Sequence, residues 1–339
     1  MTMKRFGVDL AKSVFQVHGV DDDGVLIRKR LSRQKLSEFF ANQPPSLIGM
    51  EACSGAHYWA RQLRDLGHDV RLIAPQFVKP YLFGNKTDGN DAAAICEAVG
   101  RPSMRFVAIK TPEQTSILML HRVRERLIGQ RTALINQVRG YLAEFGVTIR
   151  KGAAWVRREL PSLIDDQDNG IPFLARETLR DLYRELCDLD RRVADHDKKL
   201  KAVFDATPDC KRIAAVDGVG VLTATAFIAT LGDPKAFKNG RQVAAWLGLT
   251  PREHSSGNRQ SRMGITKRGD RYLRKLLVHG ARSALRVTPK RDDPKSRWIE
   301  RLRGRTHENV ASVALAAKNA RTLWALLAYD TEYDPAPVG

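Results

Sequence analysis

The sequence lacks the features that would place a protein in a membrane or outside the cell. No apolar run is long enough to cross a bilayer, and the first residues lack the pattern of a signal peptide. There are 4 cysteines in 339 residues, and they form neither a CxxC pair nor a metal-ligand cluster. We therefore expect reduced thiols in a soluble cytoplasmic protein.

Negative charge is also scarce. The chain carries 57 Lys and Arg residues against 38 Asp and Glu residues, which gives a net charge of +19. Because such an excess destabilises a compact fold by self-repulsion, it indicates an anionic partner. Nucleic acid is the first candidate and an anionic membrane surface the second. No motif of a common RNA-binding module is present, so composition alone does not require RNA.

The first third of the chain alternates between strand-like and helix-like segments. RFGVDLAK, VFQVHGV and VLIRKRLS are short β-type runs, with a hairpin turn at Asp21–Gly24. The apolar strands SLIGMEA and DVRLIAP follow, each after a helical segment. Three antiparallel strands that lead into βαβ units predict a mixed sheet with helices on its faces. The ribonuclease H-like fold has this order of elements.

The β pattern disappears in the middle third. Gln114–Phe145 reads as one long helix, and apolar residues from Leu179 to Val203 then step alternately by three and four positions. We predict an antiparallel helical hairpin joined around Pro161–Pro172. It is either a bundle within one subunit or a coiled coil between subunits. His196, on the apolar seam, is predicted to be a core histidine rather than a ligand.

The last third opens with two apolar helical runs around the turn Gly218-Val219-Gly220. This pattern predicts a helix-hairpin-helix, in which backbone N–H groups at a helix N-terminus can bind a phosphate. Two glycines are a weak motif, however, and they could serve only to let the two helices pack closely.

The most basic part of the chain follows this hairpin. Residues 252–305 hold 17 Lys and Arg residues against 5 Asp and Glu residues, a net charge of +12. A run of charge is usually a solvated surface, but glycine, serine and aromatic residues interrupt this one, which favours a phosphate-binding surface. An amphipathic helix is predicted over Asn309–Tyr329, and residues 331–339 are predicted to be disordered.

Four carboxylates occupy positions that favour a metal site. Asp9 lies in the first strand between two apolar residues, and Glu51 ends a later strand. Asp88 and Asp91 are three residues apart at the predicted start of a helix, so they share one face. Gathered at one sheet edge, the four would repel each other, and Mg²⁺ or Mn²⁺ would relieve that repulsion. Two such ions could serve phosphodiester chemistry.

Each carboxylate also has an ordinary explanation. Asp88 could be a helix N-cap, Asp9 also fits the phosphate-transfer site of actin-like sugar kinases, and Glu51 could pair with Arg61 or Lys86. For any single residue the ordinary explanation is favoured. For the four in this order, with a basic region downstream, the metal site is favoured.

Several segments, in one order over nearly the whole chain, resemble a known family. GVDLAK, GMEACSGAHYWAR, NKTDGNDA, DGVGVLTATAF and AAWLGLTPREHSSGNRQSRMGITKRGDRYLRKLLVHGARSAL are similar to the DEDD recombinases of the insertion-sequence-110 family. The flanks of Glu51 and the Ser-Ser-Gly segment resemble its 1111 subgroup. The site-specific DNA invertases of the Piv type are close relatives of that family.

The resemblance implies three parts: a RuvC-like domain over residues 1–111, a coiled-coil assembly region over 112–207 and a mostly helical transposase domain over 208–330. The family's four acidic positions fall on Asp9, Glu51, Asp88 and Asp91. Its catalytic serine falls on Ser256, with the neighbouring Ser255 as the alternative.

The resemblance also implies partners. Members of the family act on donor and target DNA as homo-oligomers, here a dimer or a tetramer, and are guided by a structured bridge RNA that pairs with both DNAs. The RuvC-like domain of one subunit and the serine of another form a composite site.

The residue types are chemically consistent with an attack of the serine on DNA. A serine hydroxyl needs activation before it attacks a phosphodiester, and metal-holding carboxylates could provide it. The attack would give a 5′-phosphoserine link that conserves the bond energy for rejoining. We expect DNA phosphates to be bound by the following residues: Gly218, Gly220, Arg259, Arg262, Lys267, Arg268, Arg271, Arg274 and Lys275.

The main hypothesis is therefore a transposase, an RNA-guided recombinase that depends on Mg²⁺. A RuvC-like nuclease that cuts junction DNA with water is the second hypothesis. A non-enzymatic, basic DNA-binding protein is the third.

Overall fold

The computed structural model describes residues 5–21, 24, 27–85, 87–256, 261–287 and 293–335, with the backbone alone of Arg262. The chain forms two compact units, Met1–Pro112 and Glu113–Gly339. The predicted division of the second unit into an assembly region and a transposase domain stays a prediction. In the described ranges, no helix combines the length and the apolar character that a membrane span requires.

The first unit is built on a six-stranded sheet in the order β3-β2-β1-β4-β5-β6. Its strands are β1 (Arg5–Asp9), β2 (Val14–Val20), β3 (Ile27–Ser32), β4 (Leu47–Glu51), β5 (Asp69–Ile73) and β6 (Phe106–Val107). β2 is antiparallel to β1 and β3, β4 is parallel to β1 and β5, and β6 is antiparallel to β5. The prediction of a mixed sheet is confirmed, and the unit is compatible with a DEDD nuclease-like domain.

Helices pack on both faces of this sheet. They are α1 (Lys35–Ala41), α2 (Ala56–Asp65), α3 (Pro75–Val78) and α4 (Asp88–Val99). On one face, the buried side chains of Phe6, Val8, Ile48 and Met50 share a core with α1 and α2. Because side chains alternate along a strand, the residues between them face α4 on the other side.

Two glycines set how closely α4 approaches the sheet. A Cβ atom on Gly7 would lie 2.1 Å from the carbonyl oxygen of Ala92, and one on Gly49 would lie 2.7 Å from the Cβ of Val99. Neither position therefore has room for a side chain. The α4 helix lies directly against β1 and β4.

The second unit is mostly helical. Its helices are α5 (Pro112–Glu144), α6 (Ala153–Asp165), α7 (Phe173–Ala206), α8 (Pro208–Ala214), α9 (Val221–Leu231), α10 (Gly240–Trp246), α11 (Arg271–Val287), α12 (Pro294–Arg303) and α13 (Glu308–Ala328). A short hairpin of β7 (Pro251–Glu253) and β8 (Arg262–Ile265) precedes α11.

The predicted helical hairpin is a three-helix arrangement, because the unpredicted helix α6 lies between the two predicted helices and ends inside the expected connection, Pro161–Pro172. Apolar residues of α5, α6 and α7 share one core. Asp190 of α7 pairs with Arg157 of α6 and, at 3.0 Å, with Arg131 of α5. Most of the α7 seam is thus buried within a single chain.

Two features of the α6–α7 region could not be predicted from the spacing of apolar residues. Arg176, buried in α7, donates to the carbonyl oxygens of Leu163 and Ile164 and so satisfies the C-terminal end of α6. His196 is only half-buried, and its ring nitrogen lies 2.9 Å from the carbonyl oxygen of Arg192. The prediction of a core histidine is therefore wrong.

The helix α13 forms the centre of the rest of the second unit. Its buried residues pack with α8 to α12 in one core, so the predicted amphipathic helix exists but is buried along much of its length. After it, Asp330 and Glu332 pair with Arg212, and Tyr333 packs against the core. The disorder of residues 331–339 stays a prediction. Residues 336–339 lie outside the described part.

Candidate metal centre and nucleic-acid interface

The start of α4 delivers two carboxylates to the sheet. Thr87 is extended and its hydroxyl accepts a hydrogen bond from the backbone N–H of Asn90 at 3.3 Å, so Thr87 is the N-cap. The alternative of Asp88 as the cap is therefore wrong. Asp88 and Asp91 lie in the first turn, where the helix dipole stabilises negative charge.

Asp9 and Glu51 end two neighbouring parallel strands. Val8 pairs with Met50 in the register of β1 and β4, so the next residues, Asp9 and Glu51, are level with each other. Each follows an α4-facing glycine by two positions, and both therefore lie on the α4 face of the sheet. The sheet and the first turn of α4 bring all four predicted acidic residues to one region.

Three of the four carboxylates form a tight group. Oxygen atoms of Asp9, Asp88 and Asp91 all lie within 4.8 Å of one another. Asp88 is exposed, whereas Asp9 and Asp91 are partly buried. Glu51 lies beside this group, close enough to act electrostatically on Asp9. Of the two cations considered for Glu51, Arg61 donates to the carbonyl oxygen of Lys110, and Lys86 lies outside the described residues.

Electrostatics show that this region carries excess negative charge. Burial, and then the charges of Asp91, Asp88 and Glu51, raise the pKa of Asp9 from 3.8 to about 6. The pKa of the Cys53 thiol is also raised, by burial and then by Glu51 and Asp9. The neighbouring carboxylates thus oppose ionisation of Asp9.

This donor set fits a divalent cation. Asp9, Asp88 and Asp91 would hold it, and Glu51 would add a fourth negative charge. The ligand atoms of these residues are carboxylate oxygens, which suit Mg²⁺ or Mn²⁺ better than a metal that prefers nitrogen or sulfur.

The raised pKa of Asp9 predicts a pH-dependent stability. In the folded chain Asp9 binds its proton up to a pH of about 6, against a reference pKa of 3.8. Its protonation therefore favours folding below pH 4, and this contribution is lost as the pH rises through 6. In a chelator, we expect the unfolding temperature of the wild type to fall between pH 4 and 6 relative to that of Asp9→Asn.

A divalent cation should counteract this loss of stability, because it binds the ionised form of the carboxylates. We expect Mg²⁺ or Mn²⁺ to raise the unfolding temperature at pH 7 in the wild type but not in Asp88→Asn. Thermal unfolding with and without the cation measures both effects. Equal shifts in the two proteins would contradict a cation site at these carboxylates.

The two candidate serines lie on the hairpin of the second unit. Ser255 and Ser256 follow β7, and both are exposed. The hydroxyl of Ser255 donates to a carboxylate oxygen of Glu253 at 2.8 Å. Residues 257–260 lie outside the described residues. The hairpin therefore presents both hydroxyls at its surface.

The base of this hairpin is fixed by backbone contacts. The N–H of Lys267 donates to the carbonyl oxygen of Gly248 at 3.1 Å, and Lys267 adopts a positive φ of 56°. Arg274 donates to the carbonyl oxygens of Leu247 at 2.9 Å and of Arg268 at 2.6 Å. Arg274 thus links α11 to the segments on both sides of the hairpin.

The predicted phosphate-binding cations fall into three groups. Lys267, Arg268 and Arg271 are exposed. Arg274 and Lys275 have partners within the fold: burial lowers the pKa of Arg274, and Lys275 pairs with Glu125 at 2.7 Å. Their role in phosphate binding stays a prediction. The last two predicted cations cannot be placed: Arg259 is outside the described residues, as is the side chain of Arg262.

The two glycines of the predicted helix-hairpin-helix have different surroundings. Gly218 has a positive φ of 85°, and a Cβ there would lie 2.4 Å from the carbonyl oxygen of Gly280. It therefore allows the turn to pack against α11. Gly220 is exposed at the N-cap of α9 and has nothing within 4 Å of such a Cβ. Only Gly220 leaves the adjacent helix N-terminus open to a phosphate.

These surroundings predict unequal effects of alanine. Gly218→Ala should destabilise the second unit by about 3 kcal/mol, because it combines a left-handed backbone with a backbone clash. Gly220→Ala should cost less than about 1 kcal/mol, since its backbone is extended and its surroundings are open. The unfolding temperatures of the two variants provide the comparison, and equal losses would refute the packing role of Gly218.

Sequence reasoning missed the residues that position the carboxylates. Thr87 caps α4, and Gly7 and Gly49 admit it to the sheet. A signal for the glycines was present, since each strand ends in the same pattern: Gly7-Val8-Asp9 and Gly49-Met50-Glu51. In both cases the glycine and the acidic residue share a face.

Comparisons with known proteins agree with this geometry. A DEDD transposase model, described as "Transposase", matches residues 6–146, and a model described as "Transposase IS116/IS110/IS902 family" matches residues 210–295. The chain is 50% identical to a probable family 20 transposase of Pseudomonas aeruginosa, over 99% of this chain and 100% of that protein.

Two further relatives have names that specify insertion sequences. The chain is 44% identical to the transposase for insertion sequence element IS1111A of Coxiella burnetii, over 98% of this chain and 91% of that protein. It is 38% identical to the transposase for insertion sequence element IS1328 of Yersinia enterocolitica, over 96% and 97% of the two chains.

Proposed function

This chain belongs to the IS116/IS110/IS902 family of transposases, and from that membership we propose a Mg²⁺-dependent, site-specific recombinase that acts through a serine. The observation that carries this proposal is the group of three carboxylates with oxygens within 4.8 Å of one another, beside Glu51. Transposases of this family cleave and rejoin DNA, which argues against a non-enzymatic DNA-binding protein.

The carboxylates have a binding role in this proposal. The DEDD transposase domain indicates dependence on a divalent metal. Such an ion, when bound, would activate an attacking oxygen and stabilise a leaving one. The chain provides Asp9 on the sheet and Asp88 and Asp91 on α4, whose oxygens lie within 4.8 Å of one another. The raised pKa of Asp9 supports this role, because strongly shifted pKa values are typical of functional sites.

Ser256 is the proposed nucleophile. Its Oγ forms a bond to the phosphorus of the scissile phosphodiester while the bond from phosphorus to the 3′ oxygen breaks. The proton lost by the hydroxyl ends on the leaving 3′ oxygen. The products are a 5′-phosphoserine ester and a free 3′ hydroxyl. Attack by the 3′ hydroxyl of an exchanged strand reverses these steps, which reseals DNA without ATP.

Cations at the base of the serine hairpin support this assignment. Lys267, Arg268 and Arg271 are exposed between β8 and the first turn of α11. They would neutralise the phosphate oxygens as charge develops during the attack. The resemblance to the family supports a homo-oligomer in which the carboxylates of one subunit act with the serine of another.

The guide and the location of the reaction are also proposals. A structured bridge RNA that pairs with donor and target DNA rests on the resemblance to the family. Its binding is consistent with the net charge of +19. Because the substrate is DNA, we place the reaction in the bacterial cytoplasm.

A RuvC-like nuclease remains the alternative, since the carboxylate group would serve hydrolysis equally well. The two functions differ in their products. We would incubate the purified chain with a donor–target DNA pair, RNA from the flanks of the element, and either Mg²⁺ or a chelator. We expect a Mg²⁺-dependent protein–DNA adduct on a denaturing gel, located at Ser256 by mass spectrometry. Cleavage that leaves free 5′ phosphates and no adduct would favour the nuclease.

A further inference from the structure

The outermost strand of the first unit carries an unusual run of positive charge. Residues 27–35 of β3 and the start of α1 contain five cations and no acidic residue: Arg28, Lys29, Arg30, Arg33 and Lys35. In the sheet order, β3 is an end strand. Arg28, Lys29 and Arg30 are all exposed. This charge lies outside the basic region of the second unit and has no part in the mechanism above.

The strand register separates these cations onto two faces of the sheet. Lys29 pairs with Val17, a residue of the α1 and α2 core, and its Nζ lies 4.9 Å from the ring centroid of Phe39. Lys29 therefore lies on the α1 face. Arg28 and Arg30, its neighbours in the strand, lie on the opposite face. The latter is the face that carries Asp9.

The pairing places Arg30 in the same row as the carboxylates. Arg30 pairs with Gln16 of β2, and Gln16 pairs with Asp9 of β1. Directly paired residues point to the same side, so Arg30, Gln16, Asp9 and Glu51 form a row across four adjacent strands. Strands are separated by roughly 4.8 Å, which puts the Arg30 and Asp9 backbones about 10 Å apart. Arg28 lies one row away, opposite His18.

A second observation supports the same placement of Arg28. The pKa of His18 is lowered, by burial and then by the charge of Arg28. His18 pairs with Gly7, the α4-facing glycine of β1. Arg28 is thus electrostatically coupled to the α4 face. The two arginines continue the surface that begins with the carboxylates.

We propose that Arg28 and Arg30 form a phosphate-binding track on β3 that holds the backbone of the DNA strand whose scissile phosphate lies at Asp9. The track adds a DNA contact in the first unit to the cations of the second unit. It rests on the proposed function, because it takes the carboxylate group as the place of the reaction. Arginine suits this task, since its planar guanidinium binds phosphate oxygens in pairs.

Charge on β3 also has a simpler explanation. Charged side chains prevent an end strand from pairing with another chain. That explanation requires charge on the strand but no particular face. The phosphate track requires positive charge on the α4 face only. Variants that remove charge from one face or from the other therefore distinguish the two explanations.

The experiment compares two double variants that each remove two positive charges. Arg28→Gln with Arg30→Gln changes the α4 face, and Lys29→Gln with Lys35→Gln changes the strand and helix on the other face. Each purified full chain is titrated with a mixed-sequence 30-base-pair duplex in Ca²⁺ at several salt concentrations. The slope of log K against log salt counts the phosphate contacts, at about 0.9 for each in duplex DNA.

For the arginine double variant we expect the magnitude of this slope to fall by about 2, and the dissociation constant to rise on the order of tenfold. The lysine double variant should keep the wild-type slope. Arg28→Lys with Arg30→Lys should also keep it, which controls for folding together with the unfolding temperature. Equal slopes for the two glutamine variants, whether wild-type or reduced, would overturn the track.

The result of the binding experiment does not depend on whether the proposed serine reaction takes place. Binding in Ca²⁺ is read without cleavage, so failure of the serine mechanism would appear in the adduct assay and leave the slopes unaffected. A slope change seen with a single-stranded RNA of the same sequence, but not with DNA, would reject DNA as the occupant.

Discussion

Asp88→Asn is expected to lower the rate of Mg²⁺-dependent DNA cleavage about 100-fold or more. The substitution keeps the size of the side chain but removes one of three carboxylates whose oxygens lie within 4.8 Å. Loss of several kcal/mol of metal-assisted stabilisation corresponds to at least two orders of magnitude in rate. Single-turnover cleavage of labelled DNA, with Mg²⁺ varied, measures the change.

The position of Asp88 makes this result easy to interpret. Asp88 is exposed, and the cap of α4 is the hydroxyl of Thr87, so the helix should start unchanged. Glu97→Gln is the matched control, because it removes one negative charge from the same helix and, among the described residues, breaks the ion pairs with Arg5 and Arg101. Full Mg²⁺-dependent activity in Asp88→Asn, or an equal loss in Glu97→Gln, would speak against the metal centre.

Ser256→Ala is expected to abolish both cleavage and the protein–DNA adduct while leaving DNA affinity within about twofold. The substitution removes one oxygen atom from an exposed residue of the hairpin, so neither the fold nor the charge of the surface should change. Without the attacking oxygen no ester can form. Adduct yield on a denaturing gel and affinity in Ca²⁺ measure the two properties separately.

Ser255→Ala is the matched control for the nucleophile. Its hydroxyl already donates to Glu253, and the substitution should leave adduct formation intact. If Ser255→Ala abolishes the adduct and Ser256→Ala does not, the assignment moves by one residue. If both variants cleave DNA at the wild-type rate, water is the nucleophile and the nuclease hypothesis is correct.

The sequence was sufficient to predict five of the six strands of the first unit, for physical reasons, whereas the two-residue strand β6 was missed. Short alternating runs separated by turn residues define strands, and the carboxyl ends of parallel neighbours must meet at one edge. Asp9, Glu51 and the start of α4 could therefore be placed in one region before the structure. The ordinary explanation of Asp88 as a cap was wrong because Thr87, one residue earlier, takes that role.

The second unit was less predictable because its local patterns compete with long-range contacts. The helix α6 was not predicted. Only its last residues, from Pro161, lie where a connection was expected, and its C-terminal end depends on Arg176 of the next helix. Net charge also gives no information on the surroundings of Arg274 and Lys275. A count of cations does not reveal that one donates to backbone carbonyls and the other pairs with Glu125.

The row of residues from Arg30 to Asp9 could not be predicted from the sequence either. Nothing in the spacing of these residues along the chain relates them. Their relation depends on the register of two antiparallel strand pairs, and a shift of one residue would move Arg30 to the opposite face. A basic run was visible in the sequence, but its side of the sheet was not.

The contact of α4 with Gly7 and Gly49 has a consequence for how such proteins can diverge. Beside Gly7, near the first turn of α4, the distance from this helix to the sheet is set by backbone against backbone, whereas at Gly49 the side chains of Ile95 and Val99 fill the space. Mutations that enlarge or shrink the apolar layer under α1 and α2 should therefore leave the first turn of α4 in place. Relatives can replace much of that layer over evolutionary time without altering the spacing of the reactive oxygens.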